Sequence, residues 1–227
     1  DWSSDVCSSD LEKTTYDVLL SYPNEDKPNI IKLMHNGGVI NQTAENEEIP
    51  GEDNTGVIQP FNAYSPNGTF SGNMMYVNYC RREDFEELVK RGIDVTGHIV
   101  ICRYGAIFRG SKVNIATSYN ATGVILYSDP KDYAAEGMDK VYPDTWWLPP
   151  TGVQRGTVYY GEGDPLTPGY PATDSAYRLK EEEAYGLPKI PSHPIGYQDA
   201  EPLLRALDGT DAPGDWQGTL GFTYKIG

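Results

Sequence analysis

Arg109 and Gly110 sit in a short polar turn between two apolar runs, residues 98–104 and 123–128. An arginine at the start of a helix places a guanidinium beside main-chain N–H groups that lack an intrahelical partner, and that pairing favours an anion. A carboxylate matches the arginine fork at two points. Taken alone, the segment is read as readily by a solvated loop arginine. Other chemistry is scarce. His35, His98 and His193 are the only histidines, far apart and in no metal-ligand spacing. No GxSxG nucleophile turn and no phosphate-cradling glycine loop occurs. Glu181, Glu182 and Glu183 read as a solvated charge run. The chain looks like a domain without a catalytic centre of its own.

The elements that must position Arg109 follow from periodicity. Residues 98–104 and 123–128 have strand length and strand composition, and residues 112–119 between them carry helical spacing. Two such strands joined by a helix make a right-handed βαβ unit with parallel strands. The pattern extends upstream through a strand at 74–80 and a helix at 82–91 with Phe85, Leu88 and Val89 on one face, closed by Gly92. Residues 29–35 and 39–40 flank Asn36-Gly37-Gly38, a hairpin signal. Further strands are expected at 16–22, 156–160 and 218–226, and helices at 177–185 and 197–207. Residues 41–54 read as an exposed acidic loop, and the proline- and tryptophan-rich 142–150 as a covering loop. Residues 188–195 cannot be helical. With no repeat and no linker, residues 12–227 form one domain.

The chain has 227 residues and a net charge of −15, which argues against nucleic acid and anionic membrane surfaces as partners. Its 17 Tyr, 24 Gly and 17 Pro suit a turn-rich folded domain containing strands. Residues 1–11, DWSSDVCSSDL, resemble the translated read-through of a sequencing adapter and are set aside, Cys7 with them. Cys80 and Cys102 end two neighbouring expected strands, so either a disulfide or two small buried apolar residues fits. Asn41, Asn67 and Asn120 each head a glycosylation sequon, which leans toward an extracellular setting.

Several longer motifs carry a resemblance: YDVLLSYP, GHIVICRYG, FRGSKV, GVILYSDP, GVQRG, GDPLTPGYP and IPSHPIGYQDA. From about Tyr16 to the C-terminus the chain resembles the glutamate carboxypeptidase II (prostate-specific membrane antigen) family. WWLPPTGVQRG and DWQGTLGFTYKIG favour its N-acetylated alpha-linked acidic dipeptidase-like branch. The resemblance implies an α+β apical, protease-associated domain with a central mixed β-sheet flanked by helices, acting as a lid over substrate. It also implies a zinc exopeptidase with two Zn2+ ions in a protease domain outside this chain, so the chain alone should be inactive. The family setting is an extracellular, type II membrane-anchored homodimer. Phe108 and Arg109 correspond to residues lining the pocket for a substrate's C-terminal glutamate, with the arginine on its α-carboxylate. Thr157 stands where the family carries an asparagine on the same glutamate, which puts glutamate selectivity in doubt. Thr167 and Tyr170 correspond to ligands of a structural Ca2+ at the junction with the protease domain. Substrates would be acidic peptides or folyl-polyglutamate. An aminopeptidase or dipeptidyl-peptidase specificity, or a non-catalytic binding module like transferrin receptor, is the alternative.

Overall fold

The computed structural model describes residues 12–227, so the adapter-like stretch lies outside the described residues. Strands β1 (Lys32–His35) and β2 (Gly38–Gln42) pair antiparallel as the hairpin signal predicts. Asn36 and Gly37 turn it with φ of 50° and 80°, the left-handed values a two-residue hairpin requires. Strand β3 (Asn62–Ala63) follows, then β4 (Met74–Tyr76) and helix α1 (Arg82–Lys90). The Asp84 carboxylate reaches back to the Arg81 main-chain N–H at 2.9 Å, which fixes where α1 begins. Strand β5 (Ile99–Arg103), helix α2 (Arg109–Ser118) and strand β6 (Gly123–Tyr127) form the expected βαβ unit, with β5 and β6 parallel. Asn120, at φ 61°, ends the α2 region in the left-handed conformation asparagine tolerates.

The short helix α3 (Pro130–Tyr133), strand β7 (Gly156–Thr157), strand β8 (Ser192–Ile195) and helix α4 (Tyr197–Arg205) complete the described elements. The main sheet runs β4-β5-β6-β8 and is parallel throughout, β3 and β7 form a parallel pair, and the antiparallel component is the β1–β2 hairpin. β6 is buried at every position because GVILY offers apolar groups to both covered faces. Phe85, Leu88, Val113, Ala116, Leu203 and Leu204 pack with it in one core. Each large apolar side chain so buried contributes about 1.5–3 kcal/mol. The result is the α+β protease-associated architecture expected.

Four local expectations are corrected. Residues 16–22 form no strand, because Asp17 N–H goes to the Ala172 carbonyl (2.9 Å) and Leu19 N–H to the Asp164 carboxylate (2.8 Å). Residues 177–185 hold only a 3-10 turn at Glu181–Glu183. The Tyr177 carbonyl accepts from the Tyr170 hydroxyl (2.5 Å), and Leu179 N–H goes to the Leu166 carbonyl (2.9 Å), which draws the backbone away from a helix. Residues 218–226 make a single bridge, Asp211 to Lys225, instead of a closing strand. The Gln217 amide takes both main-chain groups of Tyr224, at 2.7 and 3.2 Å, in place of a ladder partner. Asn41 lies in β2 opposite Leu33 and not in a loop. Residues 188–195 are indeed not helical, but they contain β8, whose Pro194 is accommodated on a sheet edge. Cys80 and Cys102 are bonded, their Cα atoms 5.7 Å apart, so the disulfide alternative holds.

Candidate functional site

Arg109 is the first residue of α2, delivered by the loop that leaves the C-terminal end of β5. That end of a parallel strand is where open α/β sheets expose loops for binding. The loop is held from inside by Lys112, which is fully buried and donates from Nζ to the carbonyls of Tyr79 (2.6 Å) and Gly105 (2.7 Å). Burial pulls the Lys112 ammonium down to about 7. Arg103, also fully buried, lies with its guanidinium 4.1 Å from the Tyr79 ring centre and bonds Asn78. Neither cation was singled out from the sequence. Both sit on runs whose neighbours already signalled burial, and only the fold reveals the carbonyls and ring that receive them.

Two glycines make room for the arginine. A methyl group on Gly156 would lie 2.5 Å from Arg109 Nη1, so the guanidinium rests against the bare backbone of β7. A methyl on Gly110 would meet the Val158 carbonyl at 2.8 Å, so the start of α2 can approach β7 only because residue 110 has no side chain. Arg109 Nη2 donates to Gln154 Oε1 at 3.1 Å. The Tyr104 and Phe108 rings stand 5.7 and 5.8 Å from the guanidinium carbon. Arg109 Nε is buried and has no hydrogen-bond partner among the described residues. Phe108 is 43% exposed, leaving its ring available beside the cation.

Thr157 follows Gly156 directly and is half-buried, so the fold brings Phe108, Arg109 and the 156–157 segment together. The Thr157 hydroxyl accepts from Tyr159 N–H at 3.1 Å, which turns it toward its own chain. Gln154 was missed as a site residue although it stands inside the GVQRG motif. Its role depends on where β7 meets α2, which spacing alone does not reveal. Two hollows, of about 270 Å3 between α1 and the end of α2 and about 130 Å3 around His193 and Asp199, both lie away from Arg109.

Thr167 and Tyr170 share one turn, but their hydroxyls do not converge. Thr167 Oγ1 donates to the Asp164 carboxylate at 2.8 Å and the Tyr170 hydroxyl to the Tyr177 carbonyl. Oxygen donors have the right chemistry for calcium, yet the cation takes six to eight of them. This turn alone does not make such a site. Among the described residues, no group of three or more His, Cys, Asp or Glu is placed to hold a metal ion. No described helix is long and apolar enough to cross a membrane. Asn67 and Asn120 are exposed, whereas Asn41 is half-buried with its Oδ1 enclosed.

The model of the PA domain matches residues 57–160, a span that holds β3 to β7 and every residue of the arginine site. Aminopeptidase NAALADL1 of Mus musculus is 40% identical over 100% of this chain and 31% of its own length. A glutamate carboxypeptidase 2 homolog of Caenorhabditis elegans is 36% identical over 99% of this chain and 31% of its own. Transferrin receptor protein 2 of Homo sapiens is 34% identical over 94% of this chain and 25% of its own. The chain thus spans less than a third of the curated relatives it matches.

Proposed function

Since the chain belongs to the glutamate carboxypeptidase II family and carries its PA domain, we propose that it is the apical substrate-covering part of a zinc exopeptidase. In this reading Arg109 grips the free C-terminal carboxylate of an acidic peptide or folyl-polyglutamate. The carrying observation is Arg109 itself: backed by glycine, fixed at Nη2, unpaired at Nε and without an ion pair among the described residues. A half-buried guanidinium left in that state suits a two-point anion.

Catalysis is assigned to the part of the protein outside this chain, where two zinc ions would activate water for peptide hydrolysis. This chain's share is to bind and orient the substrate terminus and to shield it from solvent. The isolated chain is then inactive. Relatives named as aminopeptidase and as glutamate carboxypeptidase leave two directions of cleavage. The engaged hydroxyl of Thr157 favours a pocket that holds a carboxylate without demanding glutamate. The name of transferrin receptor protein 2 supplies the non-catalytic alternative, to which an anion clamp is superfluous.

An extracellular, membrane-anchored homodimer is the setting proposed for the full-length protein, and the buried Cys80–Cys102 disulfide supports an oxidising compartment. The 164–170 turn would then contribute part of a calcium shell completed elsewhere, through Thr167 and Tyr170. Mass and metal analysis of the secreted full-length protein should find glycans on Asn67 and Asn120 and retained zinc and calcium; none of these on a cytosolic product would refute that setting. For the clamp itself, Arg109→Ala in the full-length enzyme should raise KM on free-acid peptides about 10- to 100-fold, on the scale of a lost charged hydrogen-bond pair. An unchanged KM would remove the clamp.

A further inference from the structure

The sole hydrogen bond that Arg109 makes through its guanidinium among the described residues goes to a neutral amide, Gln154 Oε1, at 3.1 Å. Arg155, the residue after Gln154, pairs instead with a carboxylate, Glu47, at 2.6 Å. Gln154 is itself well anchored. Its main-chain carbonyl accepts from the Tyr104 hydroxyl at 2.8 Å, and the Tyr104 hydroxyl oxygen accepts in turn from the buried Asn62 amide at 3.3 Å. The backbone that carries the amide is thus tied to β3 through Asn62 and to the residue that follows β5.

We infer that Gln154 is the positioning residue of the Arg109 clamp, fixing the guanidinium through a neutral acceptor so that its charge stays available for a carboxylate ligand. This rests on the reading of Arg109 as that clamp. The physics distinguishes the amide from its acid counterpart. An amide oxygen accepts one N–H and leaves the positive charge of arginine uncompensated. A carboxylate at the same place would take the fork in the two-point geometry a ligand needs, and would meet the ligand with like charge. An aliphatic side chain would fill the space but leave the guanidinium free to swing off Gly156.

The test measures affinity in the full-length protein for an N-acetylated, glutamate-ending dipeptide and for the same dipeptide as its C-terminal amide. Gln154→Glu should weaken binding of the acid at least tenfold at pH 7.5 and leave the amide within about twofold. The loss on the acid should persist when the pH is lowered to 5.5, because a carboxyl paired with Arg109 stays ionised below the ordinary glutamate range. Gln154→Met, close in shape, should lose about three- to tenfold on the acid, and its melting temperature checks folding independently. Arg109→Leu should abolish the acid–amide difference. Should Arg109→Leu do so while Gln154→Glu binds the acid normally, the positioning role is overturned and the clamp stands. An equal loss on acid and amide would also overturn it, as plain structural damage. If Arg109→Leu changes nothing, the clamp reading itself fails.

Discussion

The state of a single side chain depends here on what has been removed around it. Gly156 and Gly110 lack the atoms that would push Arg109 off β7, and Gln154 holds its Nη2 without neutralising it. His193 shows the same dependence in another part of the sheet. It lies on β8 with Nδ1 buried and unpartnered among the described residues, and burial pulls its imidazole down to about 4. A histidine kept neutral in the folded state binds fewer protons than the unfolded chain between about pH 4 and 6.5. Its share of stability is therefore present above pH 6.5 and lost as pH falls through that window, by up to about 1.4 kcal/mol per pH unit. Asp199, beside the same hollow, has its carboxyl raised by burial and offsets part of the loss near the acid end. Melting temperature followed from pH 7 to 4 should drop, and His193→Gln should flatten the slope between 6.5 and 5. An unaltered slope in that variant would place the acid sensitivity elsewhere.

At the scale of elements, the unit that matters is β5–α2–β6, since it both builds the core and delivers Arg109. It was legible because its strands are buried on both faces and so read as unbroken apolar runs. The elements that were misread are those whose main-chain partners are side chains or loops. Gln217 standing in for a strand opposite Tyr224 has no periodic signature, nor does Tyr170 capturing the Tyr177 carbonyl. β8 was hidden by Pro194 and by Pro188 and Pro191 just before it. The Cys80–Cys102 bond ties the loop after β4 to β5 across 22 residues. Closing a loop of that size stabilises a fold by about 3 kcal/mol through the unfolded chain. Cys80→Ala with Cys102→Ala should thus lower the melting temperature by several degrees while keeping the folded far-UV signature. Equal melting of the oxidised wild type and the double variant would mean that the bond adds nothing.

For the whole molecule, the arginine site draws on segments far apart in the chain. Phe108, Arg109 and Thr157 were placed by sequence motif, and the fold brings Phe108, Arg109 and the 156–157 segment close together. What the sequence could not reveal was the supporting layer: Gln154 beneath the guanidinium, Lys112 and Arg103 inside the loop, and the two glycines at the crossing of α2 and β7. The first of these depends on a contact between segments 45 residues apart, Arg109 with Gln154. The hydroxyls of Thr167 and Tyr170 go to separate partners, so the calcium expectation rests on the resemblance and not on this geometry. On the proposed reading, this chain supplies the anion grip while hydrolysis is carried by a part outside it.

The most direct measurement is a thermodynamic cycle on the full-length protein: competitive inhibition by a short peptide acid and by its C-terminal amide, in wild type and in Arg109→Leu. The account predicts at least tenfold preference for the acid in wild type and none in the variant, with the amide inhibiting both alike. A preference for the acid that survives loss of the guanidinium would contradict it.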